Sequence, residues 1–142
     1  MSLNEWLKFG WLIAYTPVAG EIDELLEVAR RDIHDAQTRG LSDDWRFNIA
    51  YNAALQLARA LLLSSGYQIP KGDSHHYRAI DSLKFTASFT DGDITLFQTF
   101  RKKRSVGVYE TVGAISAADA RNMLELATRL NIHVRTQLKK PQ

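Results

Sequence analysis

Two groups of residues carry the chemistry this sequence offers: four histidines and one basic run. His34 lies mid-helix among polar neighbours and His133 lies near the C-terminus, and both read as surface residues. His75 and His76 are adjacent. Neighbouring side chains on a helix diverge by about 100°, so this pair lacks the i, i+4 spacing with which two imidazoles grip one metal ion. Either ring has the pKa range for lone acid–base work. The run Arg101-Lys102-Lys103-Arg104 is the densest charge in a chain of formal net charge +2. On a helix it spreads around the circumference, with Arg101 and Arg104 sharing one side. Its plain reading is a solvated helix end, where cations are favoured. Its functional reading is an anion surface, because the arginine fork makes parallel hydrogen bonds to phosphate.

Other chemistries lack their residues. There is no cysteine, which removes thiol catalysis, thiolate metal sites and disulfides. No stretch has P-loop glycine and lysine spacing, since Gly107 to Gly113 lacks the lysine. No carboxylate pair stands out, and the acids from Glu21 to Glu27 read as the solvated face of a helix. No metal and no cofactor are expected.

The elements that position these groups read as helices. Ser2 and Glu5 have capping-box spacing, and a short helix is expected from Leu3 to Tyr15. Thr16-Pro17 reads as the cap and first position of a second helix, which runs to Arg39 on a stripe of Ile22, Leu25, Leu26, Ala29, Ile33 and Ala36. Gly40 suits its C-terminal stop. A third helix, Asp43 to Ser65, is apolar on nearly every side, Trp45 included, and is therefore expected to be central. Gly66 ends it. A loop leads to Ser74, where a fourth helix starts and runs through Ile80 and Leu83 toward Phe85. The segment from Thr86 to Asp93 is ambiguous, with Asp91-Gly92 as a turn signal. Alternation from Ile94 to Phe100 is compatible with a strand, but no partner strand is visible, so helix is preferred. Ser116 and Asp119 open the last helix, with Met123, Leu126, Ala127, Leu130, Val134 and Leu138 on one face. The tail from Lys139 to Gln142 is expected to fray.

The 142 residues suit one domain, 1–142, with 1–15 as an N-terminal helix and 16–138 as a bundle of about five to six helices. At 45% apolar and 24% charged residues the chain is globular and neither disordered nor membrane-spanning. No cleaved signal peptide is expected, and the absence of cysteine fits the cytoplasm.

The stretch Arg46-Phe47-Asn48-Ile49-Ala50-Tyr51-Asn52-Ala53-Ala54, continued by Ala58-Arg59-Ala60-Leu61-Leu62, resembles the long central helix of HEPN domains. Gly66-Tyr67 and Ser74-His75-His76 look like that family's loop and next helix, and Arg104 with Tyr109 looks like its late arginine motif. The resemblance covers Ile22 to Leu138. It implies an all-α, up-and-down helical bundle, often a homodimer, tied to RNA cleavage, toxin–antitoxin modules or nucleotide binding. Active members carry arginine followed, after four to six residues, by histidine. No histidine here has arginine at that spacing, and Arg104 has Tyr109 there instead. A phenol of pKa about 10 is a poor base at neutral pH. The resemblance therefore implies a module that binds RNA, a nucleotide or a partner protein, such as a nucleotidyltransferase-like protein, without the usual ribonuclease chemistry. The alternative is a metal-independent endoribonuclease toxin using Arg104 with Tyr109 or His76. Arg101, Lys102, Lys103 and Arg104 are the expected ligand surface. Trp6, Phe9 and Trp11 are the aromatics expected to contribute a dimer seam.

Overall fold

The computed structural model describes residues 1–72, 75–109 and 114–142, the side chains of 105–109 excepted. It is an all-α bundle built around one buried helix. The helices are α1 (Leu3–Lys8), α2 (Glu21–Asp35), α3 (Asp43–Ser64), α4 (His75–Asp81), α5 (Leu83–Thr86), α6 (Asp91–Tyr109) and α7 (Ala117–Gln137). Only Ser82 separates α4 from α5, so the two count as one bent helix in a bundle of six. The start expected at Ser74 lies outside the described residues.

The third helix takes the central place its composition predicts. Ser42 caps α3 by accepting a hydrogen bond from the Trp45 amide at 3.2 Å. Ala50, Ala53, Ala54, Ala58 and Ala60 are fully buried, and these short side chains let α2, α4, α6 and α7 approach closely. Phe47, Tyr51, Leu57 and Leu61 fill the spaces between them. Trp45 departs from expectation: it is 59% exposed.

The N-terminal region is where the sequence reading needs correction. The Ser2 cap forms as expected, but α1 ends at Lys8 instead of continuing to Tyr15. Gly10 takes φ +78°, a left-handed conformation that reverses the chain. Ile13–Ala14 (β1) then pair antiparallel with Tyr67–Gln68 (β2), in the register Ile13 to Gln68. This two-residue ladder is too short to leave a readable alternation. The second helix starts at Glu21, not at Thr16-Pro17. Gly20 is its cap at φ +85°, and the Glu21 carboxylate accepts from the Val18 amide at 3.1 Å and the Tyr15 hydroxyl at 2.8 Å, holding the preceding loop out of the helix. It also stops at Asp35, short of Arg39. Arg46 of α3 donates to the carbonyls of Ala36 (2.8 Å) and Thr38 (3.1 Å), satisfying the groups a longer helix would have bonded.

Helix is correct for Ile94 to Phe100, within α6. Asp91-Gly92 forms its first turn instead of a free turn: Thr90 and Asp93 cap each other reciprocally, at 3.1 and 3.2 Å. Ser116 caps α7 through the Asp119 amide at 3.0 Å, as its spacing predicts. The C-terminal tail is tied down where fraying was expected. Arg135, only 2% exposed, donates to the carbonyls of Leu26 (3.0 Å) and Pro141 (3.1 Å), and Lys140 pairs with Asp23 at 2.8 Å. Among the described residues no helix is long and apolar enough to cross a membrane.

Candidate functional site: an amide-anchored arginine cluster

Polar residues recur on α3 at Asn48, Asn52, Gln56 and Arg59, spacings of four, four and three that keep them on one face of an otherwise apolar helix. They form a ladder. Asn52 donates to the buried Asp32 at 2.7 Å, Gln56 donates to Asn52 at 3.1 Å, and Arg59 donates to Gln56 at 2.7 Å. Asn48 accepts from Nε of Arg104 at 2.7 Å. The stripe therefore aligns side chains that α4 and α6 complete.

Tyr51 sits at the centre, 1% exposed. Its hydroxyl and Nδ1 of His76 share a hydrogen bond of 3.2 Å. The Arg104 guanidinium lies 5.0 Å from its ring centroid, within cation–π range. Arg104 of α6 and His76 of α4 thus converge on one tyrosine of α3. The rings of His75 and His76 are 6.0 Å apart. Arg101, on the same side of α6 as Arg104, donates through Nε to Gln98 at 2.8 Å and lies 5.6 Å from the Tyr77 ring.

The electrostatics follow from this placement. Burial pushes the Tyr51 hydroxyl up to about 12, against the opposing pull of Arg104 and Arg101, so the phenol stays protonated. Burial, then Arg104, His75, Arg101 and Arg59, hold His76 below the usual histidine value, so it is neutral at pH 7. Burial and then Arg59 do the same to His75. The arginines are held by amides: Asn48, Gln98 and Gln56. Among the described residues none of Arg59, Arg101 and Arg104 forms an ion pair. An amide fixes a guanidinium without cancelling its charge. In Arg101 and Arg104 the anchor takes Nε and leaves both Nη groups, four N–H donors each, without a partner among the described residues.

The structure divides the expected ligand surface. Arg101 and Arg104 face the cluster. Lys103 is committed to Asp119 at 2.8 Å, and Lys102 is exposed on the outer side. The Tyr109 side chain lies outside the described residues. His76 is brought beside Arg104 through Tyr51, whereas His34 is exposed and His133 bonds Gln137 at 2.9 Å, away from the cluster. Sequence reasoning missed Asn48, Tyr51 and Arg59 as site residues. Their signal was present in the polar stripe of α3. No protein-family model, no curated protein and no solved structure matches the chain significantly. Among the described residues no three histidine or carboxylate groups are placed to hold a metal ion, and the chemistry on offer is anion recognition by Arg101 and Arg104 beside a neutral imidazole.

Proposed function

We propose that the chain is a HEPN-like helical module that binds the phosphate of an RNA or a nucleotide at Arg101 and Arg104, without the ribonuclease chemistry usual in that family. The observation that carries this reading is the anchoring of these guanidinium groups by Gln98 and Asn48, with neither Nη group partnered among the described residues. A structural arginine in a half-buried setting is normally matched by a carboxylate, which offsets the cost of desolvating its charge. An uncompensated, oriented pair suits a ligand that brings the negative charge with it. The resemblance in α3 and at Arg104 agrees with this. It also implies a homodimer, and a nucleotidyltransferase-like partner would favour the toxin–antitoxin alternative; the absence of cysteine fits the cytoplasm.

A fluorescence-anisotropy titration with a short single-stranded RNA, at low and moderate salt, tests the reading. Affinity should fall steeply with salt as bound phosphates release counterions. Arg104→Ala should weaken binding well beyond Lys139→Ala, since Lys139 is exposed and remote in sequence from the cluster. Equal losses, or no binding at low salt, would return Arg104 to a structural role. Sedimentation at micromolar concentration tests the dimer, and a monomer throughout would reject it.

One observation favours the rival, a metal-independent endoribonuclease. His76 is neutral at pH 7 and hydrogen-bonded to the tyrosine on which Arg104 stacks, so a base and a phosphate-steadying cation stand together. Incubating end-labelled RNA with the protein in the presence of a chelator separates the two. An intact strand supports the binding module. Fragments that disappear in both His76→Gln and Arg104→Ala support the enzyme.

A further inference from the structure

A second cleft opens beside the arginine cluster. It has a volume of about 220 Å³, and its lining includes Trp11, Pro70, Lys71, His75 and Arg78. Trp11 is half-buried. Its ring meets Trp6 edge-on at 5.7 Å, and the Arg78 guanidinium stacks on it at 3.6 Å from the ring centroid. These contacts hold a planar surface in place before any ligand arrives, which lowers the entropic cost of using it. Among the described lining residues Lys71 and Arg78 are cationic, His75 is a neutral imidazole, and none is a carboxylate.

The cleft and the cluster are joined by α4. Its first four residues divide between the two. His75 lines the cleft, and His76 reaches Tyr51. Tyr77 lies 5.6 Å from Arg101, and Arg78 covers Trp11. The rings of His75 and His76 are 6.0 Å apart, within the span of a single nucleotide. A cationic track interleaved with aromatic rings is the chemistry that receives single-stranded nucleic acid: backbone charge on the arginines, bases on the rings.

We propose that the Trp11 cleft is a nucleobase subsite, so that the ligand is a single-stranded oligoribonucleotide with one phosphate on Arg101 and Arg104 and a neighbouring base against the Trp11–Arg78 stack and Pro70. This rests on the phosphate reading of the cluster and extends it from any phosphate ester to a strand that also places a base in the cleft.

Three labelled probes test it: a single-stranded hexaribonucleotide, an abasic strand of the same length, and adenosine monophosphate. Each is titrated against the wild type, Trp11→Ala, Trp11→Phe and Arg104→Ala. Trp11→Ala should weaken the hexamer about 5- to 150-fold, the range for losing one stacked base. It should leave the abasic strand unchanged, and Trp11→Phe should recover most of the loss. The wild type should bind the hexamer more tightly than the mononucleotide. The subsite is overturned if Trp11→Ala weakens the hexamer and the abasic strand equally, the mark of a damaged fold, or if it weakens neither. The underlying phosphate reading fails separately, if Arg104→Ala leaves the abasic strand's affinity unchanged. A wild type that binds no probe overturns both.

Discussion

Replacing Asn48 by aspartate probes the cluster without removing a single arginine. The side chains are nearly isosteric, and the Asn48 oxygen already accepts from Nε of Arg104 at 2.7 Å. Asn48→Asp therefore keeps the hydrogen bond and adds one negative charge beside the guanidinium. Two unit charges about 4 Å apart interact by about 4 kcal/mol at the effective dielectric of a protein surface and about 1 kcal/mol in bulk water. A phosphate on the far edge of Arg104 sits somewhat beyond that distance from the new carboxylate, so repulsion should cost about 1–3 kcal/mol. That is about a 5- to 150-fold loss of affinity. The salt slope should also become shallower by about 0.7, one counterion fewer on a single strand. The fold should not suffer, because a half-buried pair of good geometry contributes about 0–1 kcal/mol. The assay is anisotropy with single-stranded RNA across a salt series, with thermal unfolding in parallel. Asn4→Asp on exposed α1 is the control, since it changes the net charge equally far from the cluster in sequence. Tight binding by Asn48→Asp, or equal weakening by both variants, would refute the claim that the uncompensated charge of Arg104 is what recognises the ligand.

Further consequences follow from the core and from the histidines. Leu57 is fully buried on α3, so Leu57→Asp should unfold the bundle, seen as loss of helical circular dichroism, whereas Leu57→Ala should cost about 2–5 kcal/mol and remain folded. His76, faced by Tyr51 and Arg59 of α3, His75 of α4, and Arg101 and Arg104 of α6, is held below the usual histidine value. Its folded pKa is lower than its unfolded one, so its contribution to stability is complete above about pH 6.5 and is lost as pH falls through the folded pKa. Thermal unfolding between pH 5 and 8 should show this slope, and His76→Asn should flatten it. A bound phosphate relieves the positive field and raises the His76 pKa, so RNA affinity should rise as pH falls below 7. Calorimetry in buffers of different ionisation enthalpy should show proton uptake on binding, and its absence would place the phosphate away from His76.

The helices that the sequence discloses are those whose burial is carried by composition. From Asp43 to Ser65 nearly every turn offers alanine or leucine, and only a position surrounded by other helices accommodates that. Short caps of the serine and acid type were equally readable, at Ser2 and Ser116, because the bond they make is local. The misread boundaries depend on partners distant in sequence or on backbone conformation. Arg46 closes the end of α2 from the next helix, and Tyr67–Gln68 capture Ile13–Ala14 from more than fifty residues away. Of the aromatics expected to contribute a dimer seam, Trp6 is buried with Leu12 and Leu62, Trp11 is half-buried against them and Phe9 is 54% exposed.

The site was half legible for a different reason. Charge density pointed to the run from Arg101 to Arg104, but a run of four on a helix distributes its members around the axis, and only contacts decide which of them face inward. Asp119 draws Lys103 to α7, Asn48 draws Arg104 toward α3, and Gln98, which donates to the Tyr77 carbonyl of α4, holds Arg101 on that side. The deciding residues are the neutral ones. Asn48, Gln56 and Gln98 carry no charge and belong to no motif, yet they separate a cluster that can accept an anion from a set of satisfied salt bridges. The same is true of Tyr51, which is buried like a core residue and differs from phenylalanine by one hydroxyl that reaches His76. In an apolar helix, a stripe of amides at spacings of four and three that ends on arginine thus carries information that a search for charged or catalytic residue types passes over.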